Sequence, residues 1–306
     1  MSAPSSITQH MRLRDLIILL ILSLLWGGSF FFFEVLLEHW PPLTIVTLRV
    51  GIATCVLWLI VVARSVPIPK TGRAWFALGV VGLLNNALPF FLIVWGQVHI
   101  TAGLSSILNA TTPFFTVLVA GAFLVDERIT KGKFIGVIFG LLGTVIMIGP
   151  DVLVSGFRSG HVLGQLAVLG AALSYAFAGV WARRFKEMGI TPIIIAAGQT
   201  SMALLILLPL CVIIDAPMGS FANAGPTIWA AILGLAIFST ALAYILYFRL
   251  IASAGATNAA LVTFLVPISA ILLGVVFLGE GFTPVQAAGM GLIGLGLAIM
   301  DGRLFS

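Results

Sequence analysis

Apolar residues fill this chain in long unbroken runs, and polar and charged residues gather in the short stretches between them. A helix of about 20 apolar residues, rising 1.5 Å per residue, crosses a hydrocarbon core of about 30 Å. Ten runs reach that scale: 16–37, 43–63, 73–97, 101–124, 132–149, 161–183, 191–213, 226–250, 255–278 and 283–300. A membrane barrel would need short strands alternating apolar and polar residues, whereas these runs are continuously apolar. The pattern predicts an all-α polytopic membrane protein with ten transmembrane helices.

The runs repeat. When Gly121 is laid on Gly274, Glu127, Thr130, Gly136, Leu142, Gly143, Ile146, Met147 and Gly149 fall on Glu280, Thr283, Gly289, Leu295, Gly296, Ile299, Met300 and Gly302. Chance matching in so apolar a chain gives far fewer identities, so the pattern indicates a duplicated unit. The expected repeats are 1–150 and 151–306, joined by the Gly-, Ser- and Pro-containing segment Pro150 to Gly160. Five helices per repeat is an odd number, so the second copy enters the membrane inverted.

Charge agrees with that inversion. The loop from Asp126 to Lys133 in the first copy carries Arg128, Lys131 and Lys133, and its counterpart, Gly279 to Gln286, carries no Lys or Arg. With the N-terminus inside, Arg12, Arg14, Arg64, Lys70, Arg73, Arg128, Lys131, Lys133, Arg183, Arg184, Lys186, Arg249 and Arg303 lie on the inner side, and Arg158 alone lies outside. Basic loops stay cytoplasmic, so both termini are expected to face the cytoplasm. The formal charge of +5 is then a topology signal and no footprint for nucleic acid. Sixty per cent hydrophobic residues, 8% charged residues and a mean hydropathy of +1.20 fit no water-soluble surface. The first run lacks a clear small-residue cleavage site and reads as a retained span.

Enzyme signatures are absent. The chain has no Walker A run, no H-E-x-x-H helix and no G-x-S-x-G elbow, and all four lysines fall in inner loops. Its cysteines, Cys55 and Cys211, lie inside runs without metal-ligand spacing, so neither a cofactor nor a metal is expected. What the runs do contain is uncharged polarity and aromatic rings. Asn85, Asn86 and Trp95 lie in the third run, and Ser105, Asn109, Thr112 and Thr116 recur at helical spacing along the fourth. Such a stripe lines a wet cavity or hydrogen-bonds between helices. Trp26, Tyr175, Trp95 and Tyr244 could box an apolar side chain, and Asn258 adds thinner polarity in the ninth run.

Pro113 and Pro267 interrupt the fourth and ninth runs, where a missing N–H frees a carbonyl and permits bending. Gly103 and Gly255 are the alternative hinge points. Glycines at three- or four-residue spacing, Gly132, Gly136, Gly140 and Gly143, then Gly289, Gly291, Gly294 and Gly296, permit close helix contact within the bundle or across a homodimer. Arg49 is the strongly basic residue inside a run. It fits a carboxylate-binding role, and equally an outward-reaching role or a pairing with Glu34.

The ten runs, the five-plus-five inverted copies, the Trp26-Gly27 pair, and the prolines Pro113 and Pro267 followed by Glu127 and Glu280 resemble the drug/metabolite transporter superfamily. Within it the chain looks most like EamA-type exporters, and among those the YddG-like amino-acid exporters. The resemblance covers nearly the whole chain. It implies export of amino acids, aromatic ones included, and related metabolites across the bacterial inner membrane. The path would be a central cavity opened alternately to each side, with a small-molecule substrate and the lipid bilayer as partners. Transport of drugs or nucleotide-sugar-like metabolites, and a solute channel, are the alternatives.

The charge pattern generates the first prediction. In a cysteine-free background, single cysteines placed in 125–129 and at either terminus should resist a membrane-impermeant thiol reagent in intact cells, and one placed at Gly281 should react. The opposite labelling pattern would overturn the inverted topology.

Overall fold

The computed structural model describes residues 12–124, 130–148, 162–216, 221, 224–278 and 283–301. The 125–129 loop with Glu127 and Arg128, the Pro150 to Gly160 junction, Arg158, Glu280 and Arg303 lie outside them. Among the described residues the fold is entirely helical. The helices are α1 (Leu13–Leu37), α2 (Pro42–Ala63), α3 (Gly72–Gly82), α4 (Leu88–His99), α5 (Ala102–Asn109), α6 (Thr112–Phe123) and α7 (Lys131–Ile148). Then follow α8 (Val162–Ala182), α9 (Arg184–Glu187), α10 (Pro192–Leu210), α11 (Pro226–Ala236), α12 (Ala243–Ala260), α13 (Val262–Leu278) and α14 (Pro284–Asp301). Wider π turns at Leu83–Ala87 and Ile237–Leu242 join α3 to α4 and α11 to α12, and a third, Cys211–Asp215, ends α10.

Among the described residues, seven helical stretches are long and apolar enough to cross a membrane: Leu13–Leu37, Pro42–Ala63, Gly72–His99, Leu104–Phe123, Val162–Glu187, Pro192–Asp215 and Pro226–Gly255. The other three expected runs fall on α7 and on two shorter apolar helices, Asn258–Leu273 and Pro284–Met300. Within the ninth run the chain breaks at Gly255 and turns again at Leu261.

Local chemistry fixes where helices begin. Pro42, Pro192 and Pro226 open α2, α10 and α11, positions where a missing N–H costs nothing. Thr71 and Thr101 cap α3 and α5 with side-chain oxygens that accept from Ala74 N and Leu104 N. At α14, Thr283 Oγ1 accepts from Gln286 N while Gln286 Oε1 accepts from Thr283 N, a reciprocal capping box. Thr130 caps α7 in the same way, accepting from Lys133 N. The α2 N-terminus is closed from outside its own helix, since the Asp215 carboxylate accepts from Thr44 N at 2.7 Å and from Thr44 Oγ1 at 2.8 Å.

The most extensive helix pairs join early helices to late ones: α7 with α14, α4 with α8, α2 with α10, α1 with α13 and α6 with α8. In lipid, helices associate through close packing and not through burial from water, so small residues set the contacts. A Cβ on Gly96 would lie 3.0 Å from Gly164 O, and one on Gly164 would lie 3.1 Å from Gly96 O. Backbones are closer still between α7 and α14. A Cβ on Gly136 would meet Gly296 O at 2.6 Å, one on Gly143 would meet Gly289 O at 2.7 Å, and one on Gly296 would meet Gly136 O at 2.6 Å. The glycine stripes are thus used against each other inside the chain. Gly291 and Gly294, however, face open space.

That difference supplies an internal control. Gly296→Ala should destabilise the purified protein by about 1–3 kcal/mol, because its methyl meets backbone that cannot rotate away. Gly291→Ala should be neutral or slightly stabilising, since alanine is the better helix former. Thermal unfolding in detergent reads both; equal melting temperatures for the two variants would contradict the close α7–α14 approach.

Candidate functional site

Helix interruptions inside a membrane bundle need explanation, because exposed backbone polarity in hydrocarbon is costly. The interruptions converge on one cavity. Asn85 comes from the first π turn, Asn109 and Thr112 flank the break between α5 and α6, and Tyr244 and Tyr247 follow the second π turn. Ala260, Val262 and Thr263 surround the turn at Leu261. From the uninterrupted helices, Trp26, Ser29, Phe30 and Phe33 of α1, Arg49 of α2 and Tyr175 of α8 complete the wall with Phe90 and Ile93 of α4. Its volume of about 60 Å³ has room for about four waters.

Proline chemistry accounts for the first interruption. In a regular helix the carbonyl of Asn85 would accept from residue 89, but Pro89 has no N–H. The chain widens so that Leu88 N donates to Leu83 O instead, which leaves the carbonyls of Leu84 and Asn85 without helical donors. Hydroxyls from other helices replace them: Ser174 Oγ donates to Leu84 O at 2.7 Å, and Tyr244 Oη donates to Asn85 O at 2.9 Å. Pro113 works alike. It sits in the first turn of α6, not within a continuous helix as the apolar run suggests, and the Asn109 carbonyl it leaves free accepts from Thr112 Oγ1 at 2.6 Å. Pro267 does lie inside its helix, α13.

Gly255 makes a sharper break. Its φ of 87° and ψ of 167° interrupt α12 in a conformation L residues avoid, and Asn258 Nδ2 reaches back across the break to Ala254 O at 3.0 Å. Gly103 lies in the first turn of α5.

The cavity is aromatic on most sides. It takes in every tyrosine of the chain, together with Trp26 and three phenylalanines. Trp26 and Tyr247 have ring centroids 5.2 Å apart, and Tyr244 stacks on Phe90 at 6.3 Å. Arg49, 3% exposed, lies with Cζ 3.7 Å from the Phe90 centroid and 5.3 Å from that of Phe33. Its Nε donates to Thr240 Oγ1 at 2.7 Å and its Nη2 to Ser239 O at 3.3 Å. The pairing with Glu34 that the sequence allowed does not form, and Glu34 is exposed. Two buried cavity-lining atoms, Ser29 Oγ and Asn109 Oδ1, have no hydrogen-bond partner. Unfilled polar atoms in a wall of this kind are positions for a ligand or water.

Of the residues singled out in the sequence, Trp26, Asn85, Asn109, Tyr175 and Tyr244 come together here. Others sit elsewhere. Trp95 packs edge-on against His99, with centroids 4.5 Å apart, and does not join the aromatic box. Ser105 and Asn86 are fully buried beside the site without lining it, and Asn258 is engaged with its own helix. Ser23 shares a 2.7 Å hydrogen bond with Ser269. Sequence reasoning passed over Phe30, Phe33 and Phe90 as site residues, because phenylalanine in an apolar run is equally suited to lipid.

A bundle of apolar helices around a polar and aromatic cavity, with its interruptions gathered there, is the architecture of a membrane transport protein. Comparison with known proteins makes this specific: the sequence profile of the EamA-like transporter family matches twice, over residues 14–149 and 162–300, and the chain belongs to that family. Its members are transporters, not enzymes, within the drug/metabolite transporter superfamily. An uncharacterized transporter of Archaeoglobus fulgidus is 26% identical over 292 residues, covering 94% of this chain and 99% of that protein. The uncharacterized inner membrane transporter YedA of Escherichia coli K12 is 26% identical over 292 residues, covering 92% and 90%. A probable amino-acid metabolite efflux pump of Salmonella typhimurium LT2 is 27% identical over 300 residues, covering 94% and 95%. A solved crystal structure at 21% identity superposes with a TM-score of 0.76, covering 95% of this chain and 98% of the other, which shows a shared fold.

The role of Pro89 can be measured by a double-variant cycle. Tyr244→Phe leaves the Asn85 carbonyl buried and unpaired, and should cost about 1–3 kcal/mol. In a Pro89→Ala background, where residue 89 can donate to that carbonyl, the same change should cost at least about 1 kcal/mol less. Additive losses in thermal unfolding would sink the assignment.

Proposed function

We propose that this protein exports amino acids with apolar and aromatic side chains, and related metabolites, across the bacterial inner membrane by alternating access. The observation that carries the reading is the cavity itself, where aromatic walls for an apolar side chain meet unpartnered Ser29 Oγ and Asn109 Oδ1. Trp26, Tyr175, Tyr244 and Tyr247 receive the side chain, and Asn85, Asn109 and Ser29 receive polar groups. The kinship with a probable amino-acid metabolite efflux pump supports the substrate class.

In this reading the chain forms ten membrane helices as two inverted five-helix repeats, 1–150 and 151–306, with both termini cytoplasmic. The two separate family matches support it, as do π turns at Leu83–Ala87 and Ile237–Leu242, near-equivalent places in the two halves. Access alternates through bending at the breaks, namely Gly255, the Ala110–Thr111 turn before Pro113, and Pro267, with Gly103 a further pivot. The cavity is complete within one chain, so a homodimer contact is not required for transport.

Counterflow in proteoliposomes loaded with an amino-acid panel tests the proposal. Saturable exchange accelerated by internal phenylalanine, tyrosine or leucine is expected, and Asn109→Leu and Trp26→Leu should reduce it about tenfold or more at unchanged membrane abundance. Flux that neither saturates nor accelerates with internal substrate would instead make the protein a channel.

A further inference from the structure

We propose that Arg49 is the carboxylate-recognising residue of the cavity, and that a carboxylate rather than an ammonium group is the obligatory feature of the substrate. The inference rests on the transport reading above. A guanidinium stays protonated inside proteins and offers five N–H donors in a planar fork. Its two hydrogen bonds satisfy only part of that capacity, both on neutral oxygens, Thr240 Oγ1 and Ser239 O. Among the described residues no carboxylate pairs with Arg49, and no acidic side chain lines the cavity.

A buried cation without a counter-anion is an electrostatically incomplete arrangement, because desolvation is not offset by an opposite charge. The arrangement also looks prepared for an anion. Phe90 lies against the guanidinium at 3.7 Å and Thr240 holds Nε, so the side chain is fixed in place before anything binds. Thr240 is itself anchored, donating to Leu235 O at 2.9 Å across the second π turn. A carboxylate matches the fork geometry, while Ser29 Oγ remains to donate or accept, and Asn109 Oδ1 to accept, elsewhere on the molecule. The ammonium of an amino acid finds only neutral oxygens and ring faces here, which also tolerate its absence.

Three molecules of similar shape separate the groups: phenylalanine, 3-phenylpropanoate, which lacks the ammonium, and phenethylamine, which lacks the carboxylate. In competition against labelled phenylalanine counterflow, 3-phenylpropanoate should inhibit within about threefold of phenylalanine, and phenethylamine about tenfold or more weakly than either. Calorimetric binding of 3-phenylpropanoate to detergent-purified protein gives a readout independent of transport. Arg49→Gln and Arg49→Lys should each weaken that binding about tenfold or more, lysine failing because it lacks the fork.

Equal inhibition by phenethylamine and 3-phenylpropanoate would overturn the inference even with transport intact. Binding of 3-phenylpropanoate that depends on Arg49, in a protein that exchanges no amino acid, would uphold it and defeat the transport reading instead. Should neither variant reach normal abundance, the comparison of the three molecules on the unaltered protein still decides.

Discussion

A backbone in hydrocarbon has no water to fall back on, and the rest of this structure follows from how that constraint is met at the helix interruptions. Pro89 and Pro113 each delete a donor in the bundle interior. The freed carbonyls of Leu84, Asn85 and Asn109 are then met by the hydroxyls of Ser174, Tyr244 and Thr112. Two of those three hydroxyls come from helices distant in sequence, so satisfying the backbone draws α8 and α12 against the first π turn. The polar and aromatic cavity is assembled from the same residues that repair the breaks. Site and structural repair are one set of contacts.

The two halves repair each other in a crossed fashion. Arg49 of α2 hydrogen-bonds to Ser239 and Thr240 in the late π turn, while Gln199 of α10 accepts from Asn85 in the early one at 3.1 Å. Arg49 and Gln199 hold matching places, seven residues after Pro42 and Pro192. The early crossing is also tight, since a Cβ on Gly82 would meet Gln199 O at 2.7 Å. The matching positions differ in charge, however. Gln199 Oε1 accepts from its partner amide and its Nε2 stays neutral and unpaired, whereas the guanidinium carries a charge with donors to spare, which on the proposal above suits it to an anion.

Much of this was legible in the sequence, and the remainder was hidden for physical reasons. Apolar runs and capping residues such as Thr130 and Thr283 mark the helices directly, and Asn85, Asn109, Tyr175 and Tyr244 stand out because polarity in an apolar run must turn from lipid. Which face turns inward is harder to read. Helices such as α1 and α2 are apolar all round, so Phe30 and Phe33 at the cavity differ in no sequence property from exposed Phe31. Trp95 misled for the same reason, as an indole packs equally well against a neighbouring histidine. The π turns depend on a donor lost at Pro89 and regained from residues far along the chain, a balance no local window contains.

The same contacts decide where the molecule can move. Between α7 and α14 the backbones approach closely at Gly136, Gly143 and Gly296, and a packed contact of that kind shifts only as a body. At the interruptions the ties are single side-chain hydrogen bonds, such as Asn258 to Ala254 O across Gly255, each worth about 1 kcal/mol in exchange for another partner. On the transport reading, a cavity with room for about four waters must enlarge to take an amino acid. On that same reading, bending at those exchangeable ties would enlarge it, with the α7–α14 pair held as a rigid strut.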